Sequence, residues 1–403
     1  MPLRWEKVGM TVRPVLMAIA ATVATGAFAQ SFFVPDSTRT DLAQGFGEGW
    51  AHTNHLILLG EPSWQGSYHG PRAGGAPSGY GPTQLRNAYK LPATGGSGAI
   101  ALVVAYHYPT ALNDFNVFSR AYGLPVETST GATLAANKVF QVLYASGHEP
   151  ATNASWAQEA ALDTEWSHAL APSAKIYLVE AASSSGSDLF SAVSYASRLP
   201  NVHEVSMSWG GAEFEGEQNF DVVFTRPGVD FFAATGDTGG EVSYPASSKN
   251  VISVGGTTLT LSRSNAVASE TGWAGSGGGL SKYEATPKYQ SALKLSSRAT
   301  PDIALDADPF TGVAVYDSTE ANGFEGWMVF GGTSLATPTS AAIANLLGKK
   351  YNTQALQLSA IYAKLGVATA YRDITSGTAG SNHAGVGYDL VTGVGASLGT
   401  GAF

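Results

Sequence analysis

The sequence predicts an α/β domain: a central, mainly parallel sheet with helices on both faces. Apolar strand-like runs recur at 99–105, 175–180, 204–208, 229–234 and 251–254, and they alternate with helical stretches such as 187–197. Strands that alternate with helices in this way are covered on both faces by their own connections, which is why their sequences are apolar throughout rather than alternating. The chain has 403 residues and no internal repeat, so a large core is available to it.

The chain opens with Arg4, Lys7 and Arg13, an apolar run over 15–24, and Ala27-Phe28-Ala29 before Gln30. This is the pattern of an export signal peptide over 1–29, cleaved after Ala29, with Met10 as an alternative start. The apolar run is too short for a permanent anchor, so no membrane association is expected after cleavage. Residues 30–78 read as a short N-terminal segment and linker, since 66–82 is rich in Gly, Pro, Ser and Tyr. The main folded unit is expected over 79–403. With no cysteine, an exported protein must be held together without disulfides. A net charge of −9 with 13% charged residues disfavours nucleic acid as a partner.

Chemistry concentrates in three places. Gly331-Gly332-Thr333-Ser334-Leu335-Ala336-Thr337-Pro338 joins an apolar strand (327–330) to an alanine-rich helix expected over 339–347. A serine there lies beside unpaired N–H groups and the positive end of the helix dipole, which is how a nucleophilic serine is presented for acyl transfer. Pro338 is expected in the opening turn, where no intrahelical donor is lost. A capping role for Thr333 or Ser334 is the plainer alternative. The second place is Gln158-Glu159-Ala160-Ala161-Leu162-Asp163 in a stretch of helix formers over 154–170. Glu159 and Asp163 share a helical face, where like charges destabilise an isolated helix unless they are coupled. The third is Thr235-Gly236-Asp237-Thr238-Gly239-Gly240, an aspartate in a glycine-flanked turn at the end of an apolar strand.

None of the eight histidines is followed by Gly-Thr, the mark of the subtilisin base, although the GTSxxxP pattern is shared with subtilisins. The set ExxxD, glycine-flanked Asp, then GTSxxxP resembles the sedolisins, the serine-carboxyl peptidases. The resemblance runs over about 79–399, through Tyr80-Gly81-Pro82, Ser206-Met207-Ser208-Trp209-Gly210-Gly211, Tyr244-Pro245-Ala246, Val254-Gly255-Gly256-Thr257, Gly277-Gly278-Gly279-Leu280-Ser281 and Pro301-Asp302-Ile303. It implies a subtilisin-like three-layer fold and a secreted, monomeric, acid-active endopeptidase acting on protein or peptide substrates. Ser334 would be the nucleophile, Glu159 the general base and Asp163 its orienting partner by a hydrogen bond. Asp237, protonated, would complete the oxyanion hole with the Ser334 N–H. The family also implies one structural Ca2+ bound by Asp373, Asp389 and the carbonyls of Ile374, Gly385 and Gly387, a donor set of hard oxygens.

One departure stands out. Sedolisins carry a much longer prodomain than 30–78, a domain that assists folding and blocks the cleft. Either maturation differs here, another chain assists, or that control is lost. Two rival readings are a catalytically inactive binding module on the same fold and a histidine-dependent subtilisin-type protease. Other signals are set aside. Gly275 to Gly279 lacks a phosphate-binding lysine, Asn153-Ala154-Ser155 matters only as a glycosylation acceptor, His168 reads as a packing residue, and Asp306 and Asp308 as turn residues.

Overall fold

The computed structural model describes residues 31–39, 50–59 and 78–403; the signal peptide and most of the linker expected from the sequence lie outside the described residues. A ten-stranded sheet forms the centre. From one edge its order is Tyr371–Arg372, Ala396–Ser397, Ile303–Asp306, Ile252–Leu261, Asp230–Ala234, Val202–Met207, Ala99–Ala105, Lys175–Ala181 and Phe140–Tyr144, with Val267–Gly272 paired off this path to Ile252–Leu261. Every pairing from Ala396–Ser397 to Phe140–Tyr144 is parallel. Only Tyr371–Arg372 and Val267–Gly272 run against their neighbours. The α/β expectation therefore holds. Ala99–Ala105 shows why: its seven residues, Ala-Ile-Ala-Leu-Val-Val-Ala, are all buried, as a strand covered on both faces requires.

Two helices position the site. Ala154–Leu170 starts at Asn153, whose side chain accepts from the Trp156 N–H, and it is buried all round. Thr333–Leu347 packs against it and against the strands at the centre of the sheet. This second helix begins six residues earlier than the sequence suggested, so Pro338 lies inside it rather than in its opening turn. The proline removes the N–H that would have bonded the Ser334 carbonyl. The Ser208 hydroxyl lies 3.4 Å from that carbonyl, with its proton directed to Asp163 at 2.6 Å.

The segment before residue 78 contributes strands as well. Leu56–Leu59 lies between Ser31–Phe33 and Phe324–Gly331, antiparallel to both, while His52–Thr53 pairs antiparallel with Trp209–Ala212. Residues of the short N-terminal segment thus share sheets with residues of the 79–403 unit.

Several carboxyls are built into the interior. Glu165 accepts from the Tyr316 N–H, Glu204 from the Asn345 amide, and Asp306 from the Leu259 N–H and the Thr311 hydroxyl. Burial holds all three well above the ordinary carboxylate range. His168 is a packing residue as expected: it lies against Phe115 and reaches the Pro125 carbonyl at 2.8 Å.

Candidate active site

Ser334, Glu159, Asp163 and Asp237 come together at the carboxyl ends of the central strands. Ser334 sits in the first turn of its helix, and Asp237 follows the strand Asp230–Ala234. Glu159 and Asp163 lie one turn apart on Ala154–Leu170. Ser334, Glu159 and Asp163 are completely buried.

The approach to Ser334 needs a glycine. Gly332 has φ +105°, and a Cβ there would fall 2.1 Å from the Asn54 carbonyl oxygen and 2.6 Å from Asp237 Oδ2. Both oxygens therefore converge on the space that the missing side chain leaves open. Asp237 Oδ1 accepts the Thr333 N–H at 2.8 Å and the Thr333 hydroxyl at 2.9 Å, which fixes the carboxyl and leaves Oδ2 buried with no donor. Burial raises this carboxyl well above the usual range against the downward pull of Thr333.

The carboxylate pair is arranged differently from the expected Glu–Asp hydrogen bond. Asp163 Oδ1 accepts the Ser208 hydroxyl at 2.6 Å, and Glu159 Oε2 lies 2.8 Å from His55 Nδ1. One oxygen of each, Glu159 Oε1 and Asp163 Oδ2, is buried with no protein donor. Burial pushes both groups up; the nearby charge of Glu159 adds to the rise at Asp163, and the Ser334 hydroxyl and Asn54 N–H oppose the rise at Glu159. Two carboxyls in that state favour a shared proton over double ionisation.

The Ser334 hydroxyl donates to the Ser208 carbonyl at 3.1 Å and accepts from the Asn54 N–H at 3.1 Å. The Ser334 N–H donates to the Asn54 carbonyl at 2.9 Å. Three residues in this centre escaped the sequence reading. Ser208 lies inside Ser206-Met207-Ser208-Trp209-Gly210-Gly211, a stretch that marked the family but suggested no role. Asn54 and His55 carry no local signal beyond the apolar run Leu56-Ile57-Leu58-Leu59, which reads as a strand once noticed. His55 is buried, its ring stacked on Phe330, and desolvation lowers its pKa to about 3, which keeps it neutral. Its Nε2 has no partner, so no serine–histidine pair forms here.

The proposed calcium residues lie together near the C-terminus. The Gly387 N–H donates to both oxygens of Asp373, at 3.2 and 3.0 Å, and the Gly385 N–H to Asp389 Oδ2 at 3.1 Å. Asp389 also accepts from the Val391 and Thr392 N–H groups. Among the described residues, no group of three or more acidic, histidine or cysteine side chains gathers to hold a metal. A cation here would draw its remaining ligands from backbone carbonyls, which the glycines of this loop can supply.

The structure thus gathers a serine on a helix N-terminus, a buried carboxyl pair beside it and a third carboxyl facing the space at Gly332. The chain belongs to the subtilase family, whose model matches residues 147–389, and within it to the sedolisins. It is 26% identical over 366 residues to sedolisin from Pseudomonas sp. (strain 101), a match covering 80% of this chain and 60% of that protein. With kumamolisin from Bacillus sp. (strain MN-32) it shares 31% over 281 residues, 60% of this chain and 49% of the relative. The chain thus spans about half to three-fifths of the length of these curated relatives. In three dimensions it is similar to Pseudomonas sedolisin complexed with two molecules of pseudo-iodotyrostatin: TM-score 0.66 at 26% identity, covering 80% of this chain and 96% of that one.

Proposed function

We propose that the chain is an acid-active serine-carboxyl endopeptidase that hydrolyses peptide bonds through an acyl-enzyme on Ser334. The observation that carries this reading is the set of three donorless buried oxygens, Glu159 Oε1, Asp163 Oδ2 and Asp237 Oδ2, around one helix-terminal serine. None of the three accepts a hydrogen bond from another protein group. Glu159 takes the hydroxyl proton as Ser334 attacks and returns it to the leaving amine. Asp163, held by the Ser208 hydroxyl, is coupled to Glu159 through charge, so that the two carboxyls ionise one after the other rather than together. Asp237, neutral, donates from Oδ2 to the developing oxyanion alongside the Ser334 N–H.

The pH dependence follows from the signs. Asp237 must carry a proton, so activity falls as pH rises through its elevated pKa. The pair must hold one proton and no more, so activity also falls as pH drops far enough to load the second. Peptide hydrolysis measured across pH is expected to give a bell, which the serine-carboxyl reading sets on the acid side. A neutral or alkaline optimum would favour a histidine-dependent protease, and no hydrolysis at any pH a binding module.

The unit at 79–403 is read as a monomer, exported by the signal peptide over 1–29. No helix among the described residues is long and apolar enough to cross a membrane. We also assign Asp373, Ile374, Gly385, Gly387 and Asp389 to one structural Ca2+, supported by two carboxylates that meet on a single glycine-rich loop. A ligand bound only by the folded state stabilises it by mass action, so a chelator is expected to lower the melting temperature. The effect should shrink towards pH ~4, where carboxylate ligands are lost to protons. An unchanged melting curve in excess chelator, with no metal in the purified protein, would remove the site.

A further inference from the structure

The His55 side chain fills a closed space beside Glu159. Phe330 forms one wall, its ring stacked on the imidazole at 5.4 Å between centroids and 24° between planes. Glu159 Oε2 meets Nδ1 at 2.8 Å. The Gln158 carboxamide faces the same imidazole closely enough to favour its protonated form, yet neither its oxygen nor its nitrogen completes a hydrogen bond. His55 Nε2 and Glu159 Oε1 also lack a partner. Gln158, Glu159, His55 and Phe330 are all 0% exposed, so these polar atoms stand unpaired out of reach of bulk solvent. A carboxamide buried with both ends unpaired costs the fold stability and calls for an explanation. Its place in the centre supplies one. Asn54, the residue before His55, has its carbonyl on the Ser334 N–H at 2.9 Å. His55 Nδ1 therefore stands on the leaving-group side of a carbonyl held at Ser334, in contact with Glu159.

We propose that Gln158 positions the hydrolytic water of deacylation, holding it against Glu159 in the place that His55 Nδ1 occupies. This rests on the peptidase reading above and assigns a residue to the second half of its reaction. A bound substrate takes the place of residues 54–55, and once its amine half departs a polar space opens between Gln158 and Glu159. Such a space suits a water molecule, which is held by a few polar partners at once. The water faces the acyl carbon from the direction in which the amine left, and by microscopic reversibility the base that served the amine serves the water. The water oxygen bonds to the acyl carbon as one proton passes to Glu159. The bond from that carbon to Ser334 Oγ then breaks, and the proton moves from Glu159 to Ser334 Oγ. That restores the hydroxyl and releases the peptide acid. Gln158 exchanges no proton. Its oxygen accepts the hydrogen that the water keeps, and with both hydrogens fixed a lone pair is aimed at the carbon.

The test compares the full chain with its Gln158→Met variant, which keeps the side-chain length and removes both polar atoms, on a p-nitrophenyl ester and on a peptide. The ester acylates fast, so its turnover reads deacylation, whereas peptide turnover reads acylation. For the ester, kcat and KM are expected to fall together by roughly 10²-fold, the effect of a misplaced reactant, with kcat/KM unchanged and a burst of nitrophenol. Intact mass of the acid-quenched variant should show the acyl adduct, and kcat/KM on the peptide should stay at the wild-type value. Gln158→Glu, a neutral acid at low pH with an oxygen still in place, should restore much of the ester turnover. Gln158→Leu gives the same readings if circular dichroism shows the Met chain misfolded. An ester kcat at the wild-type value overturns the proposal. So does an equal loss of kcat/KM on both substrates, which would make Gln158 a packing residue of its helix. Peptide hydrolysis by the wild-type chain leaves the peptidase reading standing in either case; a wild-type chain that cleaves neither substrate overturns both.

Discussion

Replacing Ser334 by alanine is expected to lower kcat on a peptide substrate by a factor on the order of 10⁶, with the fold unchanged. The hydroxyl is the only group in the centre that can form the acyl bond, and its loss leaves only binding and the oxyanion donors. The structural cost is small. Ser334 makes two side-chain hydrogen bonds, to the Ser208 carbonyl and from the Asn54 N–H, and alanine fits the helix between Thr333 and Leu335. A steady-state assay at the acid optimum, with circular dichroism as the control, reads the effect directly. Normal turnover in the folded variant would show that Ser334 merely opens a helix.

At Asp237 the comparison of two variants carries the information. Alanine removes the donor at Oδ2 and the acceptor that fixes Thr333, and it is expected to cost about 10²–10³ in kcat. Asparagine can still accept from Thr333 with its carbonyl and donate with its amide, so it should retain markedly more activity. It should also lose the alkaline limb of the pH profile, because an amide does not deprotonate. Equal and mild losses from both, with the limb intact, would reduce Asp237 to a turn residue.

Much of the frame was legible because it is written in local patterns. The helix Ala154–Leu170 matches the stretch read from its composition, and Ala99–Ala105 the run of apolar residues. The four residues proposed for catalysis could be picked out because each stands beside a punctuating glycine or one turn from its partner. Reading failed where contacts are distant. Pro338 was expected in the opening turn, yet the helix begins at Thr333 and carries it inside. The strand 50–59 was harder still. Thr53-Asn54-His55 is an ordinary polar tripeptide, and its partners at 209–210, 330–331 and 334 are supplied only by long-range pairing. Asp163 does not make the expected bond to Glu159; its Oδ1 accepts the Ser208 hydroxyl, a partner that nothing local to it announces.

The carboxyls sealed inside the domain make hydrogen ions a ligand of the folded state. Glu165, Glu204 and Asp306 ionise near pH 4 in an unfolded chain but well above that when buried. Through the interval between, folding takes up protons that the open chain has already shed. Their contribution is full below the unfolded values and is lost as pH climbs through the folded ones, so stability rises on acidification. Urea midpoints measured with chelator present should be higher at pH 4.5 than at 7.5, and a midpoint that is flat or higher at 7.5 would show that these groups are ionised in the fold. Acid, which unravels most proteins by neutralising their salt links, is here absorbed as a structural component. A molecule without a single disulfide would keep its shape in acid and loosen once the medium is neutralised.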